Sequence, residues 1–239
     1  MPTLDTSTAA HIAPIVSAFK RRGVSHPRWC VCSHVLKPVA AEAAAIAHPM
    51  HTPEMISMTR MSLLRTERLI LRRWRPADSA SFAALNADPA VMEYLPATLS
   101  SAESAALIER IEVSFDIHGY GLWAVEVPDE ADCIGFIGLS PVDFDVFFAP
   151  TVEVGWRLAR SFWGRGFATE GARAAIAFGF DQCGLPEVVS FTAQGNLRSR
   201  AVMERLGMRR DPAEDFDHPL LAKSDPLRRH VLYRLSQAR

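Results

Sequence analysis

The chain has 239 residues, 49% hydrophobic and 22% charged, a balance that suits a soluble globular protein with one sizeable core and an extension. A formal net charge of -1 offers no global basic field for nucleic acid or for an anionic membrane surface. Four cysteines are too few for a disulfide framework and favour a reducing cytoplasm, and apolar runs such as Val39 to Ala47 fall short of the ~20 residues a bilayer span needs.

The first sixty residues differ from the rest. They hold five of the eight histidines and six basic against three acidic residues. Residues 1–60 read as a poorly ordered extension with short helices at most near Ala9 to Arg22 and Val39 to Ala47, and residues 61–239 as one domain. His26, Cys30, Cys32 and His34 lack the spacing of a zinc finger, so no metal is expected. No positively charged start followed by a clean apolar stretch marks a secretory signal.

From Met61 onward the pattern becomes regular. Arg68 to Trp74 is an apolar run stopped by Pro76, and Asp78 to Ala87 is alanine-rich: strand, then helix. Ser100 stands three residues ahead of Glu103, a capping-box spacing, and Leu107, Ile111 and Phe115 recur at helical intervals until Gly119. Leu122 to Val127, Cys133 to Leu139 and Val152 to Leu158 read as a meander of three strands. Thr169 to Phe180 is then a helix, Val188 to Thr192 a buried strand, Leu197 to Leu206 a helix stopped by Gly207, and His230 to Leu235 a last strand. One meander ahead of a βαβ crossover predicts an α/β fold, α+β by stricter sorting, with a mixed sheet and helices on both faces.

Between the third meander strand and its helix lies Arg160-Ser161-Phe162-Trp163-Gly164-Arg165-Gly166-Phe167-Ala168-Thr169-Glu170. A glycine turn feeding a helix start exposes backbone N–H groups and the positive end of the helix dipole, which favours an anion such as pyrophosphate. Arg165 offers a further charge-assisted contact. A dinucleotide fingerprint fails because the glycine after Gly166 is Gly171, two positions late, and a P-loop fails because no Gly-Lys pair exists.

The segment resembles the pyrophosphate-binding motif of the GNAT N-acetyltransferases, Q/R-x-x-G-x-G/A, with Trp163 to Ala168 in register and Trp163 where Gln or Arg is usual. A W-G-x-G-x-A-T-E string is similar to the subgroup of ribosomal-protein N-terminal acetyltransferases. Asn196-Leu197-Arg198-Ser199 followed by Ala201 to Met208 resembles the helix after the fifth strand of the same superfamily. The resemblance implies a mainly antiparallel GNAT-like sheet, acetyl-CoA as cosubstrate and an amine acceptor; with the composition, it leads to the expectation of a cytoplasmic monomer or homodimer without nucleic acid or membrane. It implies cofactor contacts at Trp156, Arg157, Leu158, Trp163, Gly164, Arg165, Gly166, Phe167, Ala168, Thr169, Asn196 and Ser199.

An amine is mostly protonated near neutrality, so transfer needs a base or a water relay, donors for an oxyanion, and an acid for the leaving thiolate. The resemblance implies backbone donors on Trp156 to Leu158. Glu153 is the candidate base, Ser199 the candidate acid, and His218 a third catalytic candidate, set in a loop between acidic residues that would raise its pKa. Asn196 is read from its residue type as an N-cap, with a hydrogen bond to the pantetheine arm as the other reading. The acceptor pocket is expected from Tyr94-Leu95-Pro96, Pro141 to Pro150 with its three phenylalanines and two aspartates, and Phe216 to Leu221. The rival readings are a non-catalytic acyl-CoA-binding sensor or scaffold and a Rossmann-type reductase.

Overall fold

The computed structural model describes residues 63–237, so the expectations placed on the first sixty residues lie outside it. In chain order the elements are β1 (Leu64–Arg65), β2 (Ile70–Arg72), α1 (Asp78–Ala87), α2 (Ser101–His118), β3 (Leu122–Glu126), β4 (Gly135–Val142) and β5 (Thr151–Leu158). They continue with α3 (Phe167–Asp181), β6 (Glu187–Ala193), α4 (Leu197–Arg205), β7 (Arg209–Arg210), β8 (Phe216–Asp217) and β9 (Arg229–Ser236). The nine strands form one sheet in the order β1-β2-β3-β4-β5-β6-β9-β7, with β8 also paired to β9. Every pairing is antiparallel except that of β5 with β6.

The expected meander and crossover are therefore present, and the capping box is realised. The Ser100 side chain accepts from the Glu103 amide while the Glu103 carboxylate accepts from the Ser100 amide, and Gly119 closes α2 in the left-handed conformation. The short strands β1, β7 and β8 have too few residues to show a period, and each exists because a longer neighbour offers it a free edge.

Alternation along β4 puts its two faces to different uses. Phe136 meets Phe82 of α1, with ring centroids 6.1 Å apart. Ile137 and Leu139 meet α3, where Gly171 and Gly179 stand. A Cβ on Gly171 would come within 2.5 Å of Ile137, so the missing side chain is what lets the helix lie this close. The small residues Ala172 and Ala175 extend the same buried stripe. With α1 and α3 on opposite faces, the sheet is covered on both sides over its centre, where Trp123, Phe136 and Ile137 are fully buried.

A second cluster of phenylalanines lies around β6 and β9. Phe191 packs against Phe144, Phe148 and Phe216 at centroid distances of 6.0, 5.9 and 5.6 Å. It closes the end of the sheet near the β4–β5 loop.

Candidate active site

The parallel pair β5–β6 is in register only at Glu153 and Val189, whereas β5 is paired with β4 along its whole length. Beyond Glu153 the two strands part. The edge of β5 from Gly155 to Leu158 then faces a cleft of about 760 Å³, whose opposite wall carries Ser190, Phe191 and Thr192 of β6. Glu153 sits where the strands diverge, 3% exposed. Gly155 is on the same strand face two residues on, and a Cβ there would meet only Glu153 Oε1, at 3.9 Å. The missing side chain keeps the path to the carboxylate open.

The mouth of the cleft is set by the turn after β5. The Trp163 indole donates to the Leu158 carbonyl at 2.7 Å, tying the turn back to the strand. Gly164 and Gly166 have φ of +74° and +85°, a conformation that side chains rarely adopt. Gly166 caps α3 without a side-chain partner, so the first amides of the helix, at Phe167, Ala168 and Thr169, have no intrahelical acceptor. These residues, with Trp163, Gly164 and Gly166, line the cleft. Their amides and the helix dipole suit a pyrophosphate, and the parted strands suit an extended thioester arm, so the residues present fit acetyl-CoA.

Glu170, in the first turn of α3, is held away from this cradle. It accepts from the Thr66 hydroxyl at 2.6 Å and from the Arg68 amide and Nε at 2.9 and 2.8 Å. These contacts hold its carboxyl below the usual range even though burial opposes them. Sequence reading did not assign Thr66 and Arg68 this role, and nothing in their spacing points to a residue a hundred positions away.

On the far wall Asn196 caps α4 by accepting from the Ser199 amide at 3.2 Å, and its Nδ2 donates to Thr192 Oγ1 at 2.9 Å and Ser199 Oγ at 3.1 Å. The N-cap reading holds geometrically. Ser199 Oγ acts here as acceptor, which leaves its O–H to donate elsewhere, and both residues line the cleft.

Three site expectations meet a different arrangement. Arg165 is not among the cleft-lining residues. Its guanidinium forms a fork with Glu130 at 2.5 and 2.7 Å and lies 4.6 Å from the Phe167 ring centroid, because a bidentate carboxylate was within reach on the β3–β4 turn. Counted back from Gly164, the first position of the family motif falls on Ser161 rather than Trp163. His218 is fully buried, stacked on Phe144 at 4.9 Å and outside the cleft lining, and the neighbouring Asp217 is paired with Arg228 and Arg229. His230 lines the cleft instead.

The acceptor side of the cleft is likewise narrower than expected. Tyr94, Leu95, Pro96 and Leu221 line it, whereas the loop from Pro141 to Pro150 does not, since Phe144 and Phe148 are drawn into the cluster around Phe191. Arg157, on the same strand face as Glu153, donates to Asn86 Oδ1 at 2.8 Å, and Asn86 donates to Ser104 Oγ at 3.1 Å. This buried chain links the cleft to α1 and α2. No group of side chains with metal-binding geometry occurs among the described residues.

Comparison with known proteins agrees with this geometry. Residues 68–209 match the acetyltransferase (GNAT) domain family. The uncharacterised protein YkkB of Bacillus subtilis is 28% identical over 152 residues, covering 63% of this chain and 87% of its own. The crystal structure of an acetyltransferase from Agrobacterium tumefaciens has 27% sequence identity and superposes with a TM-score of 0.60, covering 81% of this chain and all of that one. RimL, a ribosomal L7/L12 α-N-protein acetyltransferase solved in complex with coenzyme A, shares the fold at 15% identity and a TM-score of 0.59, covering 73% of this chain and 98% of its own. With more than half its length matched to the domain, this chain belongs to the GNAT acetyltransferase family.

Proposed function

We propose that this acetyltransferase moves the acetyl group of acetyl-CoA directly onto a primary amine. The observation that carries the reading is the parting of β5 and β6 immediately beyond Glu153, with the glycine cradle at the mouth and Ser199 on the opposite wall. Bound in the cleft, acetyl-CoA supplies an activated acetyl group as a thioester.

The amides at the start of α3 hold the diphosphate, and the β5 edge from Trp156 to Leu158 offers backbone donors to the acetyl oxygen. Glu153, at the floor, takes a proton from the incoming ammonium directly or through one water. The Ser199 O–H faces the leaving sulfur and limits the charge that builds there. Asn196 fixes Ser199 and is open to exchange its Thr192 contact for a carbonyl of the pantetheine arm. His218 acts from behind, holding the aromatic wall rather than touching the substrate. No described helix is long and apolar enough to cross a membrane.

The test is the melting temperature of the full chain with acetyl-CoA, with NADH as control. A ligand at about 100 Kd stabilises by about 2.7 kcal/mol. A rise confined to acetyl-CoA is expected, and it is lost in Gly166→Asp, which places a carboxylate in the anion cradle. No rise in the folded wild type overturns the reading.

A further inference from the structure

The two sides of the cleft differ in chemistry. The start of α4 is polar, with Asn196 and Ser199 beside Thr192 of β6, and Leu197, Ala201, Val202 and Met203 add apolar wall along the helix. The side facing α1 and the loop that leads into β9 is lined by Tyr94, Leu95, Leu221, Leu227 and His230 around the buried Glu153. Among the described residues that line the cleft, Glu153 is the one carboxylate, while Arg157, Arg198 and Arg205 are cations. Burial also keeps the His230 imidazole neutral, and its Nδ1 lies 3.1 Å from the Arg228 carbonyl, where it must donate.

Charge arithmetic then limits the acceptor. A polyamine or amino sugar carries several ammonium groups, and each one taken out of water needs a carboxylate or a set of acceptors to offset its desolvation. Near Glu153 this cleft offers one carboxylate to one ammonium, and the wall beyond it toward Tyr94, Leu95 and Leu227 is mainly apolar, while the acceptors of Asn196, Ser199 and Thr192 stand on the side given to the coenzyme and Arg198 is already paired with Glu93. The remainder of the acceptor must be uncharged or anionic, and apolar enough to gain from contact with Tyr94, Leu95 and Leu227.

We infer that the acceptor is a small primary monoamine borne on an apolar carbon frame, such as an aralkyl or branched alkyl amine. The inference rests on the acetyl-transfer reading above. The amine nitrogen bonds to the acetyl carbon as the carbon–sulfur bond breaks. The proton shed by nitrogen passes through Glu153 to solvent, and the departing thiolate is protonated to the free thiol, so the products are an amide and a thiol with no change of oxidation state.

The test uses the full chain with saturating acetyl-CoA and follows thiol release, with the amide identified by mass spectrometry. Phenethylamine, isoamylamine and leucinamide are set against spermidine and kanamycin. The expected result is a kcat/KM at least tenfold higher for the best apolar monoamine than for either polycation. Leu227→Glu, or Leu95→Glu if the first variant does not fold, should narrow that ratio at least tenfold by adding a second carboxylate. A polycation that equals or beats the monoamines overturns the inference. So does acetyl-CoA protection without turnover of any apolar monoamine, which leaves the coenzyme reading standing. Absence of acetyl-CoA protection overturns the acetyl-transfer reading itself, and this inference falls with it.

Discussion

The Arg198 guanidinium lies 4.7 Å from the centroid of the Trp163 ring, with Tyr94 at 5.7 Å, while its Nη2 stands 2.5 Å from a Glu93 carboxylate oxygen. One side chain of α4 thus touches the glycine turn and the loop after α1, the two lips of the cleft.

This bridge is exposed on both partners, so it adds little to folding stability. Its consequence is positional, because Arg198 holds Trp163, whose indole in turn fixes the turn against Leu158. Arg198→Ala is expected to leave the melting temperature within about 1–2 °C of wild type. The same variant should weaken acetyl-CoA binding about three- to tenfold, read by isothermal titration calorimetry. Glu93→Gln should leave the coenzyme affinity at or above the wild-type value, since Arg198 stays stacked. An equal loss in both variants would show that the ion pair, rather than the stacking, holds the lip.

Buried charge behaves differently. Arg72 is bonded to Asp78 through two nitrogens at 2.7 and 2.9 Å, to Glu126 at 2.7 Å and to the Asp132 carbonyl at 2.6 Å, with side-chain exposures of 4% for Arg72 and 1% for Asp78. The hydrogen bonds that Arg72 donates to Asp78, with those to Glu126 and the charge of both carboxylates, push its pKa further up against the opposing effect of burial. Removing one member strands the other in a dry site. Asp78→Ala is expected to cost about 3–5 kcal/mol in urea unfolding, and Arg72→Ala a similar amount. A loss below about 1 kcal/mol would mean that water reaches the site and rescues the stranded charge.

How much of this was legible beforehand depends on the range of each signal. The helices α1 to α4 and strands β3 to β6 follow from period, caps and stop residues, all of which act within a few positions. The glycine turn and the helix start at Phe167 were legible for the same reason, since both are local. The pairing of Arg165 was not legible because its partner, Glu130, is 35 positions away. His218 reads as part of a loop and His230 as part of the last strand, but which of the two rings lines the cleft depends on the packing of His218 against Phe144 and of His230 against Phe216, partners outside the range of these local signals. The Arg157–Asn86–Ser104 chain left a faint trace, polar residues at buried positions of two helices, yet only packing identifies them as partners.

His230 makes stability depend on pH in a calculable direction. Burial is the leading cause of a pKa lowered to about 4, with the Arg228 carbonyl and Asp225 opposing it. In the unfolded chain the imidazole titrates near its ordinary ~6.5. Between these values the unfolded state binds more protons, so the contribution is complete above about pH 6.5 and is lost as pH falls toward 4. The loss is on the order of 3 kcal/mol over that interval. His230→Phe should flatten the decline of the urea midpoint between pH 7 and pH 4.5 relative to wild type. Parallel declines in the two proteins would mean that His230 is hydrated and titrates normally in the native state.

Glu153 and Ser199 separate the chemical step from coenzyme binding. Glu153 lies on the floor of the cleft and is 3% exposed, whereas the diphosphate cradle is at the mouth, so Glu153→Gln should leave the acetyl-CoA affinity within about threefold. Loss of the base should lower kcat/KM for the amine about 10²-fold or more, and the variant should recover rate as pH rises and the amine sheds its proton unaided. Ser199→Ala removes a single donor to the leaving sulfur and should lower kcat about tenfold, with a smaller change for donors whose thiol leaves more readily. Stopped-flow thiol release across pH 6 to 10 reads all three effects. A Glu153→Gln enzyme with an unchanged pH profile would move the proton-accepting role to a water held elsewhere in the cleft. An unchanged kcat in Ser199→Ala would reduce that residue to the partner of Asn196 in capping α4.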